Sequence, residues 1–427
     1  MQQRPDSEHR PAAPHGAATG LPMLVTIIAL AFAMNTLARG ITETFAVFLL
    51  PVEAAFGASR SQMTATYSIY MLVHGIAAPF AGQLIDRLGA RVTYGAGLIL
   101  LGGAYLIGGH AQNLWHYYLS VGVMSGLGAA CLGMVVATGL LSRWVTNRVG
   151  SIMSIPYAAV GFGVLVFPPL TQLLIGQYDW RTAHVIIGCG IMSAFLVVML
   201  FPLARITRGS EAWRAQRSET LGAGGRVWGV ASAVRTRAFW ALFAVYFWTS
   251  VSAYAVLPQS VAFLVESGFD PLVAAGAFGL TGGLSTLGIL AMGQISDRFG
   301  RLYATVGSYI CSMVGIALLV AIVWVPHLAF VYGFVVFFGL MQGARGPVIA
   351  GLVATLYRGG SVGAIFGALS LALGLGAAFG SWASGLLHDL TSGYVASFGL
   401  AIAASAMGLL SYVASASLRT ETMTERP

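Results

Sequence analysis

Long apolar runs broken by short polar segments organise this chain. Stretches of about 18 or more apolar residues are long enough to cross a bilayer as helix. They fall at 23–50, 62–84, 92–111, 114–141, 150–175, 181–204, 237–265, 271–295, 302–325, 328–356, 360–387 and 392–416. The pattern predicts twelve membrane spans, numbered 1 to 12 in that order. Two six-span halves, 23–204 and 237–416, are joined by an arginine-rich linker at 205–236. Residues 1–22 are rich in Pro, Ala and His and lack the hydrophobic stretch of a cleaved signal, so they read as a disordered tail. Residues 417–427 form a second tail.

Composition points the same way, since 57% of residues are hydrophobic and only 8% charged, too little polar surface to wrap a soluble core. All 22 basic residues are Arg, which removes any lysine-based mechanism. Eighteen of them lie in the tails, the linker and the loops on one side, whereas the other side carries only Arg60 and Arg181. The positive-inside rule then places both termini and the linker in the cytoplasm. Cys131, Cys189 and Cys311 lie far apart in apolar segments and suggest neither a disulfide framework nor a metal site.

The halves repeat. Gly82-Gln83-Leu84-Ile85-Asp86-Arg87-Leu88-Gly89-Ala90-Arg91 returns as Gly293-Gln294-Ile295-Ser296-Asp297-Arg298-Phe299-Gly300-Arg301, again between two spans. Pro51-Val52-Glu53-Ala54-Ala55-Phe56 is echoed by Leu264-Val265-Glu266-Ser267-Gly268-Phe269, and Met124-Ser125-Gly126 by Met341-Gln342-Gly343. The G-x-x-x-D-R-x-G loop resembles the signature loop of the major facilitator superfamily, which follows the second helix of each half. That resemblance implies an all-α membrane protein of twelve transmembrane helices in two pseudo-symmetric halves, rocking about a site near the bilayer midplane. In that setting Asp86, Arg87, Arg91, Asp297, Arg298 and Arg301 are expected to act as conformational latches rather than to touch substrate.

Within the superfamily, Gly161-Phe162-Gly163, Phe167-Pro168-Pro169-Leu170 and Asp179-Trp180-Arg181 look like the run found in monocarboxylate and oxalate/formate porters. Trp144 with Arg148 to Gly150 is similar to their loop 4–5 pattern. The span 4 arginine typical of proton-driven drug antiporters has no counterpart, since its stretch reads Gly122 with Ser125-Gly126-Leu127-Gly128, and span 5 has no Gly-Pro pair. The acidic opening of span 1, the Asp/Arg pair of span 8 and the lysine of span 11 that those porters use are also missing, so their binding residues do not carry over.

Candidate chemistry therefore comes from this chain's own ionisable residues. Arg39 and Glu43 lie one turn apart on span 1, and Arg345 lies mid-way along span 10 beside Gly346-Pro347. A charge at a lipid-facing helix centre costs roughly 2.5–3.5 kcal/mol on insertion scales, so all three are expected to face a cavity. Arg39 and Glu43 can form a purely structural pair. Arg345 then has no carboxylate inside any predicted span, and its planar fork is expected to take a substrate carboxylate. Tyr67, Tyr70 and His74 share a face of span 2. Tyr157 of span 5 and Trp248, Ser252 and Tyr254 of span 7 are further cavity candidates. Packing explains such residues equally well. Glu43 and His74 are the candidates for a coupling proton.

No nucleophile–base or metal-ligand cluster stands out, so an enzyme is not expected. The expected molecule is a cofactor-free, monomeric carrier of a small organic anion, most simply a carboxylate, in a bacterial inner membrane. It would be driven by proton symport or by counter-substrate exchange and would have no nucleic-acid partner. A multidrug or hydrophobic-compound exporter, and a membrane sensor that no longer transports, are the alternatives.

Overall fold

The computed structural model describes residues 17–141, 143–144, 149–200, 203, 206, 230–357 and 362–415. Residues 1–16, 207–229 and 416–427, which hold most of the predicted tails and linker, lie outside the described set. Among the described residues all regular structure is helical, and ten runs are long and apolar enough to cross a bilayer. One of them, Arg60–Gly109, is two spans joined at Gly89. Span 10 is split into Leu328–Gln342 and Arg345–Leu356. The twelve predicted spans are thus all present. Phe80, Leu196, Leu287 and Val336 expose their side chains on the outer surface, as a lipid-solvated protein requires.

The repeated loop has a backbone cause. Gly89 adopts φ 80°, ψ 175° and Gly300 adopts φ 89°, ψ 148°, a region open essentially to glycine alone. Each glycine turns the chain from one span straight into the next, which explains why the final Gly of the motif recurs in both halves. The Asp-Trp-Arg run opening span 6 is likewise architectural. The Asp179 carboxylate accepts the Thr182 N–H at 2.8 Å and caps the helix, which holds its carboxyl below the usual value. Arg181 Nη1 reaches the Ala111 carbonyl at 2.6 Å beyond the end of span 3.

The halves meet along two seams. Span 2 runs beside span 11, where Ser68 Oγ donates to the Ala378 carbonyl at 2.7 Å and Ser381 Oγ to that of Thr64 at 3.2 Å. Gly75 and Gly374 let the two backbones touch, because a Cβ on Gly75 would stand 3.2 Å from the Gly374 Cα. Span 5 runs beside span 8, with Gly279 against Leu165 and Pro169 and Thr286 Oγ1 bonded to the Ala158 carbonyl at 3.2 Å. Small residues permit this approach. The seams reach from the arginine-poor end to mid-depth.

Candidate functional site

Span 1 is interrupted where the charges sit. Its helix stops at Glu43 and resumes at Phe45. Thr42 Oγ1 and Thr44 Oγ1 bond back to the carbonyls of Ala38 and Ile41, at 2.8 and 2.5 Å. From span 3 the Tyr105 hydroxyl donates to the same Ile41 carbonyl at 2.5 Å. Hydroxyls that compete for helix carbonyls, and a side chain inserted into the ladder, bend a helix. The bend turns the Glu43 carboxylate towards span 2.

Arg39 Nη2 pairs with Glu43 Oε1 at 2.6 Å, and the Tyr67 hydroxyl donates to the same oxygen at 2.9 Å. Arg39 Nη2 also donates to the Tyr254 hydroxyl at 2.8 Å, a bond from the first half to the second at mid-depth. The Tyr67 and Tyr254 rings lie 5.9 Å apart. Tyr70 donates to Thr42 Oγ1 at 3.0 Å, and its ring centroid is 6.0 Å from that of His74. The Glu43 side chain is 3% exposed and that of Arg39 is 19% exposed. Of the two, the Arg39 side chain is the less deeply buried. The contacts to Glu43 and Tyr254 use the same terminal nitrogen, so Glu43 does not occupy the guanidinium bidentately.

Arg39, Glu43, Tyr67, Tyr70 and Tyr254, with His74 next to them, therefore come together as one polar cluster. The other candidates do not join it. Arg345 begins the second piece of span 10, and the break at Gly343–Ala344 turns it towards span 9 within its own half. There its Nε donates to Ser308 Oγ at 3.2 Å and its Nη2 to the Ser308 carbonyl and Ser312 Oγ, while its Cζ stands 4.2 Å over the Tyr309 ring. Hydroxyls, a carbonyl and a ring face stand where an anionic partner was expected. Ser252 bonds Ser405 of span 12 at 2.7 Å and so also faces the interior of its half. Tyr157 and Trp248 are half-buried on spans 5 and 7, with no hydrogen bond to the cluster.

The signature loops contribute one ion pair among the described residues. Asp86 is gripped by Arg143 from the end of span 4, within the first half. Arg143 was not anticipated as its partner. Arg87, Arg91 and Arg298 are exposed, Arg298 lying over the Phe299 ring, and Arg301 is half-buried. The Asp297 side chain lies outside the described residues. Sequence reasoning also missed Thr42, Thr44 and Tyr105, whose only signal was being hydroxyls in apolar segments.

Comparison with known proteins agrees with this architecture. Residues 28–335 match the family model described as Major Facilitator Superfamily. The chain is 25% identical over 365 residues to the MFS-type transporter YcxA of Bacillus subtilis, covering 83% of this chain and 85% of that one. It is 27% identical over 379 residues to monocarboxylate transporter 13 of Rattus norvegicus, covering 87% and 84%. Over 403 residues it is 27% identical to monocarboxylate transporter 11 of Mus musculus, covering 87% and 83%. In fold it superimposes on a partially occluded inward-open structure of the xylose transporter XylE of E. coli. That match has a TM-score of 0.73 at 13% identity and covers 92% of this chain and 98% of the other. With most of its length matched by the family model and its halves built on the repeated loop, the chain is a multi-pass membrane transporter, not an enzyme, and belongs to the major facilitator superfamily.

Proposed function

We propose that this transporter carries a small monocarboxylate across a bacterial inner membrane by alternating access, with the arginine-rich face and both termini in the cytoplasm. Arg39 binds the anion and Glu43 carries the coupling proton. The observation that carries this reading is the unequal burial and the one-sided pairing: a partly exposed arginine side chain, held by Glu43 through one nitrogen, is backed by a carboxylate sealed from solvent. The names of the relatives as monocarboxylate transporters support the substrate class.

In the empty protein Arg39 neutralises Glu43 and reaches Tyr254 across the interface. A substrate carboxylate engaging the planar fork bidentately competes with Glu43 for it. A carboxylate as buried as Glu43 cannot stay charged without its counter-ion and takes a proton. Anion and proton are then loaded together, and Tyr67 remains bonded to the neutral acid. His74 lies one turn beyond Tyr70 on the arginine-rich side, its ring centroid 6.0 Å from that of Tyr70, and is the second candidate for the proton. Exchange of one carboxylate for another is the same cycle without the proton step. Because the Arg39–Tyr254 bond joins the two halves, displacement of Arg39 by substrate is also felt by the second half.

A thermal-shift screen of the purified transporter against carboxylates and lipophilic cations tests the reading. A ligand of the folded state at 100 times its dissociation constant adds about 2.7 kcal/mol of stability. Small monocarboxylates are expected to raise the unfolding midpoint and to compete with one another. Stabilisation by lipophilic cations with none by any carboxylate would overturn it in favour of an exporter of hydrophobic compounds.

A further inference from the structure

At the arginine-poor end, 21 residues along the chain from Arg39, a second charged cluster joins the halves. Arg60 opens span 2 with its side chain only 2% exposed. Its Nε donates to Glu53 Oε2 at 2.7 Å and its Nη2 to Glu266 Oε1 at 2.7 Å. Nη1 donates to the Tyr394 hydroxyl, which in turn donates to Glu266 Oε2. All three guanidinium nitrogens are thereby engaged.

Glu53 and Glu266 are the repeat-equivalent carboxylates that close span 1 and span 7. One arginine grips both, one from each half. The second half has no matching arginine, since Asp270-Pro271 opens span 8.

The backbone is held as well. Asp389 of span 11 accepts the Arg60 N–H at 3.0 Å through Oδ1 and the Ser61 N–H at 2.9 Å through Oδ2. A carboxylate from one half thus caps the first turn of a helix in the other, where free N–H groups and the helix dipole favour negative charge. Gly385, one turn before Asp389, allows the contact, because a Cβ there would stand 3.0 Å from both the Arg60 carbonyl oxygen and the Ser61 Cα. His388 Nδ1 lies 3.9 Å from Asp389 Oδ1 and completes the set of ionisable groups.

We propose that Arg60 is the positioning residue of the transport cycle at this end, closing the arginine-poor face by binding both repeat-equivalent glutamates while Asp389 caps its helix. Glu266, Tyr394 and Asp389 belong to the second half and are lost together when the halves part there. Glu53 belongs to the first half and stays. Its place follows from that: it keeps the guanidinium neutralised in the parted state, so opening does not strand a buried charge. Glu266 therefore holds the closed state and Glu53 does not, despite their repeat equivalence. The inference goes beyond the carboxylate reading and does not depend on the substrate.

The test is a spin-label distance measurement between Gln112→Cys and Val325→Cys, two exposed positions in the arginine-poor loops of opposite halves. It uses the full chain in lipid nanodiscs, with the three native cysteines replaced by serine. The parent should show mainly the short, closed distance. Glu266→Gln and Asp389→Asn should each raise the ratio of long to short distances severalfold, and Arg60→Ala tenfold or more. Glu53→Gln frees Arg60 to bind Glu266 alone and should leave the ratio unchanged or lower it. Distributions identical to the parent in Arg60→Ala, Glu266→Gln and Asp389→Asn overturn the proposal. So does an equal rise in all four variants, which would mark mere loosening of the fold. Loss of carboxylate binding with these shifts intact would sink the substrate reading alone.

Discussion

Replacing Arg39 by Ala removes the counter-ion of a carboxylate that is 3% exposed. A buried pair that loses one partner typically costs 3–5 kcal/mol. Here the loss has a ceiling, because Glu43 can escape its charge by taking a proton. At pH 7 that step costs a glutamate of reference pKa near 4.3 about 3.7 kcal/mol. The Tyr67 hydroxyl still donates to Glu43, so hydrogen bonding does not add to the loss. In Arg39→Ala/Glu43→Gln no charge is left to bury, and the remaining loss is the Tyr254 bond and the packing of the arginine stem, about 1 kcal/mol. The double variant should therefore be more stable than the single one by more than about 2 kcal/mol. The single variant also acquires a pH dependence. Its folded form holds a proton that the unfolded chain at pH 7 lacks, so its stability must rise as pH falls. Between pH 7 and pH 5 the cost of that proton drops from about 3.7 to about 1 kcal/mol. Denaturant unfolding in detergent micelles at the two pH values, followed by tryptophan fluorescence, measures both effects. Equal stability of the single and double variants, together with a pH-independent deficit, would refute the claim that the pair neutralises a buried charge.

Three further outcomes are expected. Glu43→Gln mimics the protonated acid, so reconstituted vesicles should retain carboxylate exchange but lose accumulation driven by a pH gradient; undiminished uphill uptake would move the proton to His74 or off the protein. Arg345→Lys keeps a charge over Tyr309 but loses the serine-bonded fork, so it should cost about 1–3 kcal/mol in unfolding measurements and leave carboxylate-induced midpoint shifts unchanged, whereas lost binding at full stability would return Arg345 to the substrate site. Gly89→Ala forces a side chain into φ 80°, ψ 175° and should lower stability by about 1–3 kcal/mol, while Gly276→Ala, in open space inside a helix, should raise it by about 0.5–1 kcal/mol in the same measurement.

Membrane class, span number and the division into halves were legible in the chain because they depend on local quantities. A bilayer requires some 20 apolar residues per crossing and satisfied backbone groups throughout, and both demands are written residue by residue. The duplicated loop was equally legible, since glycine alone tolerates the backbone of Gly89 and Gly300. The Arg39–Glu43 pair followed from helical spacing. Other features needed the third dimension. Arg39 and Arg345 look alike in sequence, each a lone cation in an apolar span. A helix break at each site sends one to the interface between halves and the other into a serine-lined wall. Which way a side chain turns at such a break depends on hydroxyls arriving from other spans, and nothing in the local sequence encodes their arrival. Arg60 makes the same point. Its neighbours in sequence identify only a helix start, whereas its partners Glu266, Asp389 and Tyr394 are more than 200 residues away. They meet only because two seams of small residues bring the halves into register.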